Sequence, residues 1–322
     1  MQIGEEMKES GEKAAVSIIC EAYNHGPYIK DALEGFVNQK TTFPFVVLVH
    51  DDASTDNTAD VIREYEKKYP ALIKAICQTE NQYSKGVNIT ETYGLPRVEG
   101  EYVALCEGDD YWTDPRKLQK QYEAMEQHPE IDICAHAAQK IRATNGQKLG
   151  RVEPSKEQVI FNTEKVIAGG GGFVATNSLF FRKKLLEEKA SYYRYFSIDY
   201  ALQIQGSIRG GMLYLPEVMS VYLVLVPGSW TSRLSNVQNA YNQAAKIEKM
   251  LNLVDEETEG RYHELIQHCK LKARFSCLEG ANCYKELRNG ELKKLYDEQP
   301  LQWKIKTHVK EKFPGLLKLY RR

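Results

Sequence analysis

The sequence predicts an α/β protein, a doubly wound and mostly parallel sheet followed by a helical C-terminal region, and three observations carry that prediction. Residues 16–20 and 45–49 are short apolar runs without alternation, the pattern of parallel strands covered on both faces. Between them Ile29, Leu33, Phe36 and Val37 recur at helical spacing behind Pro27, a good first-turn residue, which completes a β-α-β unit. Beyond Trp230 the spacing turns helical and stays so, with Val237, Tyr241, Ala244, Ile247 and Leu251 on one face.

The remaining elements follow in order. A second helix is expected from near Asp56, with Ile62, Tyr65 and Tyr69 on its buried side and Pro70 as its stop. Residues 72–77 read as the third strand and 102–106 as the fourth. Asp114-Pro115 reads as an N-cap and first-turn proline, ahead of a buried stripe at Leu118, Tyr122 and Met125. Residues 173–182 and 212–226 read as strands, with a helix from about Asp199 to Ile208 between them. The expected organisation is a sheet domain over 14–232, with a first half at about 14–136 and a second at about 137–232, then a helical region over 233–322. In such sheets ligands bind beyond the carboxyl ends of the strands, so the chemistry is sought there.

Composition excludes several classes. The 322 residues are 42% hydrophobic and 27% charged with a net charge of -1, an ordinary globular balance that gives no field for attracting nucleic acid. The seven cysteines are odd in number and form no C-x-x-C pair, so they read as reduced core residues. His268 with Cys269, Cys277 and Cys283 fits no zinc spacing. Residues 1–13 are acidic and polar, without the basic and apolar regions of a secretory signal. No apolar run approaches the roughly 20 residues a spanning helix needs, the richest being cut by Pro216 and Glu217. A cytoplasmic protein is expected.

The chemistry collects in two acidic clusters. The second strand runs into His50-Asp51-Asp52-Ala53-Ser54-Thr55-Asp56, and the fourth into Glu107-Gly108-Asp109-Asp110. Both ends fall on one edge of the sheet, where like charges repel unless a cation or hydrogen-bond donors offset them. A hard divalent ion shared with a phosphate is the natural partner. Ser54, Thr55 and Asp56 suit turn and cap positions. Asp109-Asp110 has no such structural task, since Asp114 already holds the cap.

These residues carry a resemblance. Residues 16–24 ending in Ala-Tyr-Asn, the Asp51-Asp52-x-Ser-Thr-Asp-x-Thr stretch, Gly100-Glu101-Tyr102, and Glu107-Gly108-Asp109-Asp110-Tyr111-Trp112 followed by Asp114-Pro115 and Lys117-Leu118 resemble family 2 inverting glycosyltransferases of the GT-A fold. The motifs cover about the first 130 residues in the family's order and spacing. Weaker similarity continues through Ser197-Ile198-Asp199-Tyr200 and Leu215-Pro216-Glu217-Val218 to Tyr222.

The resemblance implies a donor site in which Tyr23 stacks beside the nucleotide base and Asp52 accepts from the ring N–H of a uracil or thymine. It implies that Asp110 ligates Mg2+ or Mn2+, that Asp109 contacts the ribose or neighbouring side chains, and that Asp199 is the general base. An N-cap role for Asp199 is compatible with that. The implied activity is inverting transfer of a hexose-type sugar from a nucleotide sugar, UDP before dTDP or GDP, to a hydroxyl of a bacterial-type surface glycan or lipid-linked acceptor. The donor is then a small molecule and no nucleic acid is involved.

Three features are less specific. Lys85 suits a diphosphate contact or a solvated surface. Trp230 and Arg233 suit an acceptor or diphosphate site, with core packing the other use of Trp230. Gly169-Gly170-Gly171-Gly172 lacks the ending of a P-loop and reads as a lid or a plain loop. Two departures from the family pattern stand out. Glu21 lies beside the base pocket where many relatives carry Thr or Pro. Leu223 and Leu225 follow Tyr222 where many carry Arg and His, which bears on the metal. They motivate a second reading, a non-catalytic nucleotide-sugar-binding or scaffold protein. Finally Trp303, Ile305, Val309, Phe313, Leu316, Leu317 and Tyr320 alternate with Lys304, Lys306, Lys310, Lys312, Lys318, Arg321 and Arg322. Such a tail suits peripheral contact with the inner face of a membrane, or a terminal helix with solvated lysines.

Overall fold

The computed structural model describes residues 13–188, 190–195, 198–226 and 236–313. Trp230, Arg233, Ser197 and the basic tail after Phe313 lie outside the described residues. The chain divides into two compact units, one of Met1–Lys189 with Leu202–Val224, the other of Ala190–Ala201 with Leu225–Arg322.

The first unit is built on one mixed sheet. Its strands are β1 (Val16–Ala22), β2 (Phe45–Asp51), β3 (Ile73–Cys77), β4 (Tyr102–Leu105), β5 (Tyr111–Trp112), β6 (Ile133–Arg142), β7 (Lys148–Val152), β8 (Val159–Phe161), β9 (Phe180–Arg182) and β10 (Met212–Val224). They stand in the order β3-β2-β1-β4-β9-β6-β10-β5, with β7 beside β6 and β8 beside β10. The first four pair in parallel, β9 runs antiparallel to both β4 and β6, and β10 is again parallel to β6. The fold is the expected α/β sheet, wound in parallel where the β-α-β pattern predicted it and mixed beyond β4.

Helices α1 (Ile29–Val37) and α2 (Thr58–Lys68) connect β1 to β2 and β2 to β3, and α3 (Lys117–Glu126) leads from β5 into β6. Helix α1 buries Ile29, Ala32, Leu33, Phe36 and Val37, the stripe read from its spacing, and α2 buries Ile62 and Tyr65. Every residue of β2 is buried, as are all of β1 but Glu21, so these strands are sandwiched between layers. Each large aliphatic side chain so enclosed contributes about 1.5–3 kcal/mol.

Four expectations change. Asp114 is not the residue that caps α3: the helix opens at Lys117, while Asp114 Oδ1 accepts from the Arg116 N–H at 2.8 Å, a turn ahead of it. Residues 173–182 give only the short strand β9, because Thr176–Ser178 forms a 3-10 turn. The glycine run closes helix α4 (Thr163–Gly169): Gly170, at φ 71° and ψ -176°, takes an extended positive-φ conformation that glycine reaches without steric cost. Strand β6, ICAHAAQKIR, is an element that periodicity does not announce.

The second unit is helical. After helix α5 (Ile198–Ile208), within which the division between units falls, it contains α6 (Val237–Glu257), α7 (His263–Gly280), the short helices Tyr284–Leu287 and Lys293–Asp297, and α8 (Leu301–Lys312). Ala240, Ala244, Phe275, Leu278, Leu287 and Leu295 form its core. All seven cysteines carry free thiols, and among the described residues no group of His, Cys, Asp and Glu side chains is arranged as a closed metal site. No described helix is long and apolar enough to cross a membrane.

Candidate active site at the carboxyl ends of the parallel strands

Strand β1 pairs with β2 on one side and β4 on the other, so the acidic segments leaving β2 and β4 flank its end. Two backbone bonds fix this: the Asp52 N–H donates to Ala22 O at 2.9 Å, and the Gly108 N–H donates to Glu21 O at 2.9 Å. Two strand spacings, roughly 10 Å, therefore separate the two clusters across the rim.

The loops are held together by side chains that the sequence reading passed over. Asn24, at φ 56°, donates its N–H to Ser54 Oγ at 2.8 Å, and its Oδ1 accepts from the Thr55 N–H at 2.8 Å. Asp56 accepts from the N–H groups of Gly26 at 2.9 Å and Thr58 at 3.0 Å. This is the turn-and-cap task expected of Ser54, Thr55 and Asp56. Next along the chain, His25 places Nε2 3.9 Å from Asp109 Oδ2. Burial lowers the pKa of His25, and the charges of Asp109, Asp56 and Asp51 oppose that, so its ring lies between the two clusters. Gly108 makes room for it: a β-carbon there would stand 3.0 Å from His25 Nδ1 and 2.9 Å from Ile29 Cδ1.

Each sequence-predicted site residue that lies among the described residues has a place. Asp52 is buried, and its two oxygens accept from the N–H groups of Gln82 at 2.7 Å and Tyr83 at 3.0 Å. It thereby ties down the segment that carries Lys85, and each oxygen keeps one further lone pair. Lys85 itself is exposed and pairs with Glu80. Tyr23 is exposed on the rim. Glu21 is half-buried and accepts from the Thr90 hydroxyl; burial raises its carboxyl pKa and the charge of Asp52 adds to that. Asp199 belongs to the second unit, in the first turn of α5, where its Oδ1 accepts from the Tyr200 N–H at 2.8 Å.

Asp109 and Asp110 differ sharply. Asp110 is 2% exposed, its Oδ1 accepting from the Leu223 N–H at 2.8 Å and its Oδ2 from Asn177 Nδ2 at 2.8 Å. It has a structural task after all, pinning β10 and the turn before β9 to the end of β4. Burial pushes its carboxyl well above the usual range, the charges of Asp109 and Glu107 push it further, and those two donors hold it down. Asp109 is partly exposed and faces His25. Leu223 thus contributes a backbone donor to Asp110.

Asn177 is the node that sequence could not single out. Its Nδ2 also donates to Val221 O at 2.9 Å, its Oδ1 accepts from the Ser220 hydroxyl at 2.7 Å, and its backbone oxygen accepts from the Trp112 indole N–H at 2.9 Å. Beneath Trp112, Lys117 Nζ lies 3.9 Å from the ring centroid and donates to Gln121 Oε1 at 2.7 Å. Lys117 is wholly buried, and that burial pushes its pKa down to about 7.

A parallel α/β arm, continued by a mixed one, with carboxylates on both sides of its central strand and a helical region after it, is the architecture of the GT-A fold. The profile described as Glycosyl transferase family 2 matches residues 17–188. An uncharacterized protein of Mycobacterium tuberculosis is 35% identical over 244 residues, which are 74% of this chain and 68% of that protein. The chain belongs to glycosyl transferase family 2. The putative teichuronic acid biosynthesis glycosyltransferase TuaG of Bacillus subtilis is 35% identical over 113 residues, 35% of this chain and 42% of TuaG.

Two solved structures share the fold at lower identity. S. aureus TarS in complex with UDP-GlcNAc aligns at a TM-score of 0.53 and 16% identity over 83% of this chain and 81% of its own. The mannosyltransferase PcManGT from Pyrobaculum calidifontis, in complex with GDP-Man and Mn2+, aligns at 0.53 and 16% over 94% and 88%.

Proposed function

We propose that this glycosyltransferase moves a hexose-type sugar from a nucleotide sugar, a UDP-sugar first, to a hydroxyl of a glycan or lipid-linked saccharide, with inversion. The observation that carries the reading is the pair of backbone bonds that stand Asp52 and Asp109-Asp110 on either side of the last residues of β1. The base end of a nucleoside diphosphate would lie by Tyr23 and the remaining lone pairs of Asp52, and the diphosphate would cross toward Asp109. The nucleotide sugars held by TarS and PcManGT support this use of the fold.

The residues present fit a divalent cation. Glu107, Asp109 and Asp110 repel one another in a largely buried place, and their charges are what raise the Asp110 carboxyl after burial itself. Mg2+ and Mn2+ suit a site of one or two carboxylates completed by water and phosphate oxygens. The reading shares the direct contact between Asp110 and the more exposed Asp109 beside it, because each Asp110 oxygen accepts one hydrogen bond and keeps a further lone pair. A cation bound there would neutralise charge on the departing diphosphate.

The remaining steps belong to the protein. In this reading Asp199 takes the proton of the acceptor hydroxyl as its oxygen bonds to C1, and the bond from C1 to the diphosphate breaks on the opposite face. Trp230 and Arg233 are assigned to the acceptor or diphosphate side from the sequence alone. The reaction is placed on the cytoplasmic side of a membrane.

A panel of UDP-, dTDP- and GDP-sugars, assayed for metal-dependent thermal stabilisation and slow donor hydrolysis, tests the donor half. Asp199→Asn tests the other half: turnover is expected to fall at least a thousandfold while donor binding stays within twofold. Loss of donor binding in that variant, or retained turnover, would contradict the assignment. A protein that binds donors and never turns over fits the scaffold reading, which Glu21, Leu223 and Leu225 motivate.

A further inference from the structure

Helix α8 has two opposite faces, one packed on the second unit's core and one bearing exposed apolar side chains. On the packed side, Trp303 lies against Phe275 and Tyr296 and donates to Glu279 Oε1 at 2.7 Å, Thr307 is buried, and Glu311 pairs with Arg288. At about 100° per residue, Leu301, Ile305 and Val309 fall roughly half a turn away from that row. They are 72%, 56% and 40% exposed, and Phe313 just past the helix end is 56% exposed.

The charges around this stripe have one sign. Lys306 stands exposed on one flank, Lys304 borders the other and reaches back to Asp297 O at 2.6 Å, and Lys312 stands exposed at the C-terminal end of the stripe. Glu311 is the sole acid between residues 301 and 313, and it is turned to the packed side. An apolar row flanked by ammonium groups matches a bilayer surface with anionic headgroups, where the row enters the acyl boundary and the lysines stay at headgroup level. A protein groove would need acidic rims as well as an apolar floor, and a second copy of this helix would set lysines against lysines.

We propose that the Leu301–Ile305–Val309–Phe313 face of α8 seats the protein on an anionic lipid surface. The proposal deepens the membrane-side part of the reading above, and it is tested apart from the transfer chemistry. Full-length protein is sedimented with vesicles of phosphatidylcholine alone and of phosphatidylcholine with phosphatidylglycerol, at low and high salt, while UDP binding is measured in parallel.

Binding to the anionic vesicles is expected, falling at least tenfold at high salt and on neutral lipid. Ile305→Glu/Val309→Glu alters exposed residues only and should lose it by a similar factor with unchanged helical content and UDP affinity. Lys246→Glu, a charge change on exposed α6, should bind vesicles nearly as wild type does. Failure of wild type to bind, or equal binding by the double variant, overturns the proposal. So does a dimer in solution that the double variant abolishes without any vesicle binding, which would make the stripe a self-association face. Loss of UDP binding with vesicle binding intact would instead strike the donor-site reading.

Discussion

Replacing Asn177 by alanine removes three hydrogen bonds from a place water does not reach. Its amide donates to Asp110 Oδ2 at 2.8 Å and Val221 O at 2.9 Å and accepts from Ser220 at 2.7 Å, and Asn177 and Ser220 are both fully buried. The Trp112 bond goes to the backbone oxygen and survives, so the change isolates the side chain. Each orphaned buried partner costs about 1–3 kcal/mol, which over three partners sums to roughly 3–9 kcal/mol out of a typical 5–15. Asp110 also loses one of the two donors that hold its raised pKa down, so its carboxyl should rise further. Urea unfolding gives the stability loss, and titration with UDP and Mn2+ on the folded variant gives the effect on the site. A loss below about 1 kcal/mol with an unchanged titration would refute the reasoning.

Other expectations follow from the same geometry. Lys117, whose ordinary value is 10.5, has its pKa lowered to about 7, so between those values the unfolded chain holds the extra proton. Stability should therefore rise with pH across that window, with a slope up to about 1.4 kcal/mol per unit, and Lys117→Met should flatten it in urea titrations at successive pH values. A wild-type profile that falls over the window contradicts the burial argument. Gly108→Ala would press a methyl group against Ile29 and His25, at 2.9 and 3.0 Å. A loss of about 1–3 kcal/mol and weaker nucleotide binding are expected, by denaturation and calorimetry.

The parallel half was legible because its chemistry is redundant. In β1 and β2 apolar residues fill both faces, α1 repeats its stripe over two turns, and the turn residues between them have tasks that their types announce. Strand β6 was not legible: Ala135, Ala137 and Ala138 have little β preference, and only burial in the middle of the sheet makes ICAHAAQKIR extended. His136 within it is buried and neutral, its pKa lowered by desolvation, so a polar letter in the sequence marks a core position. In the site, the acidic clusters stood out through charge crowding, but their division of labour did not. Asp110 could be told from Asp109 only by Asn177 and the Leu223 N–H, which lie 67 and 113 residues away. Asn177 carried no local signal, and the one clue to His25 was its place beside Asn24.

In the proposed donor complex a nucleoside diphosphate and a divalent cation lodge across the end of β1, the base toward Asp52 and the phosphates toward Asp109. Calorimetric titration of UDP with Mn2+ or with chelator, on wild type, Asp52→Asn and Asp109→Asn, tests it most directly. The account predicts that Asp109→Asn removes the gain in affinity given by Mn2+, whereas Asp52→Asn weakens UDP and keeps that gain. Wild-type affinity and an undiminished Mn2+ effect in both variants would contradict it.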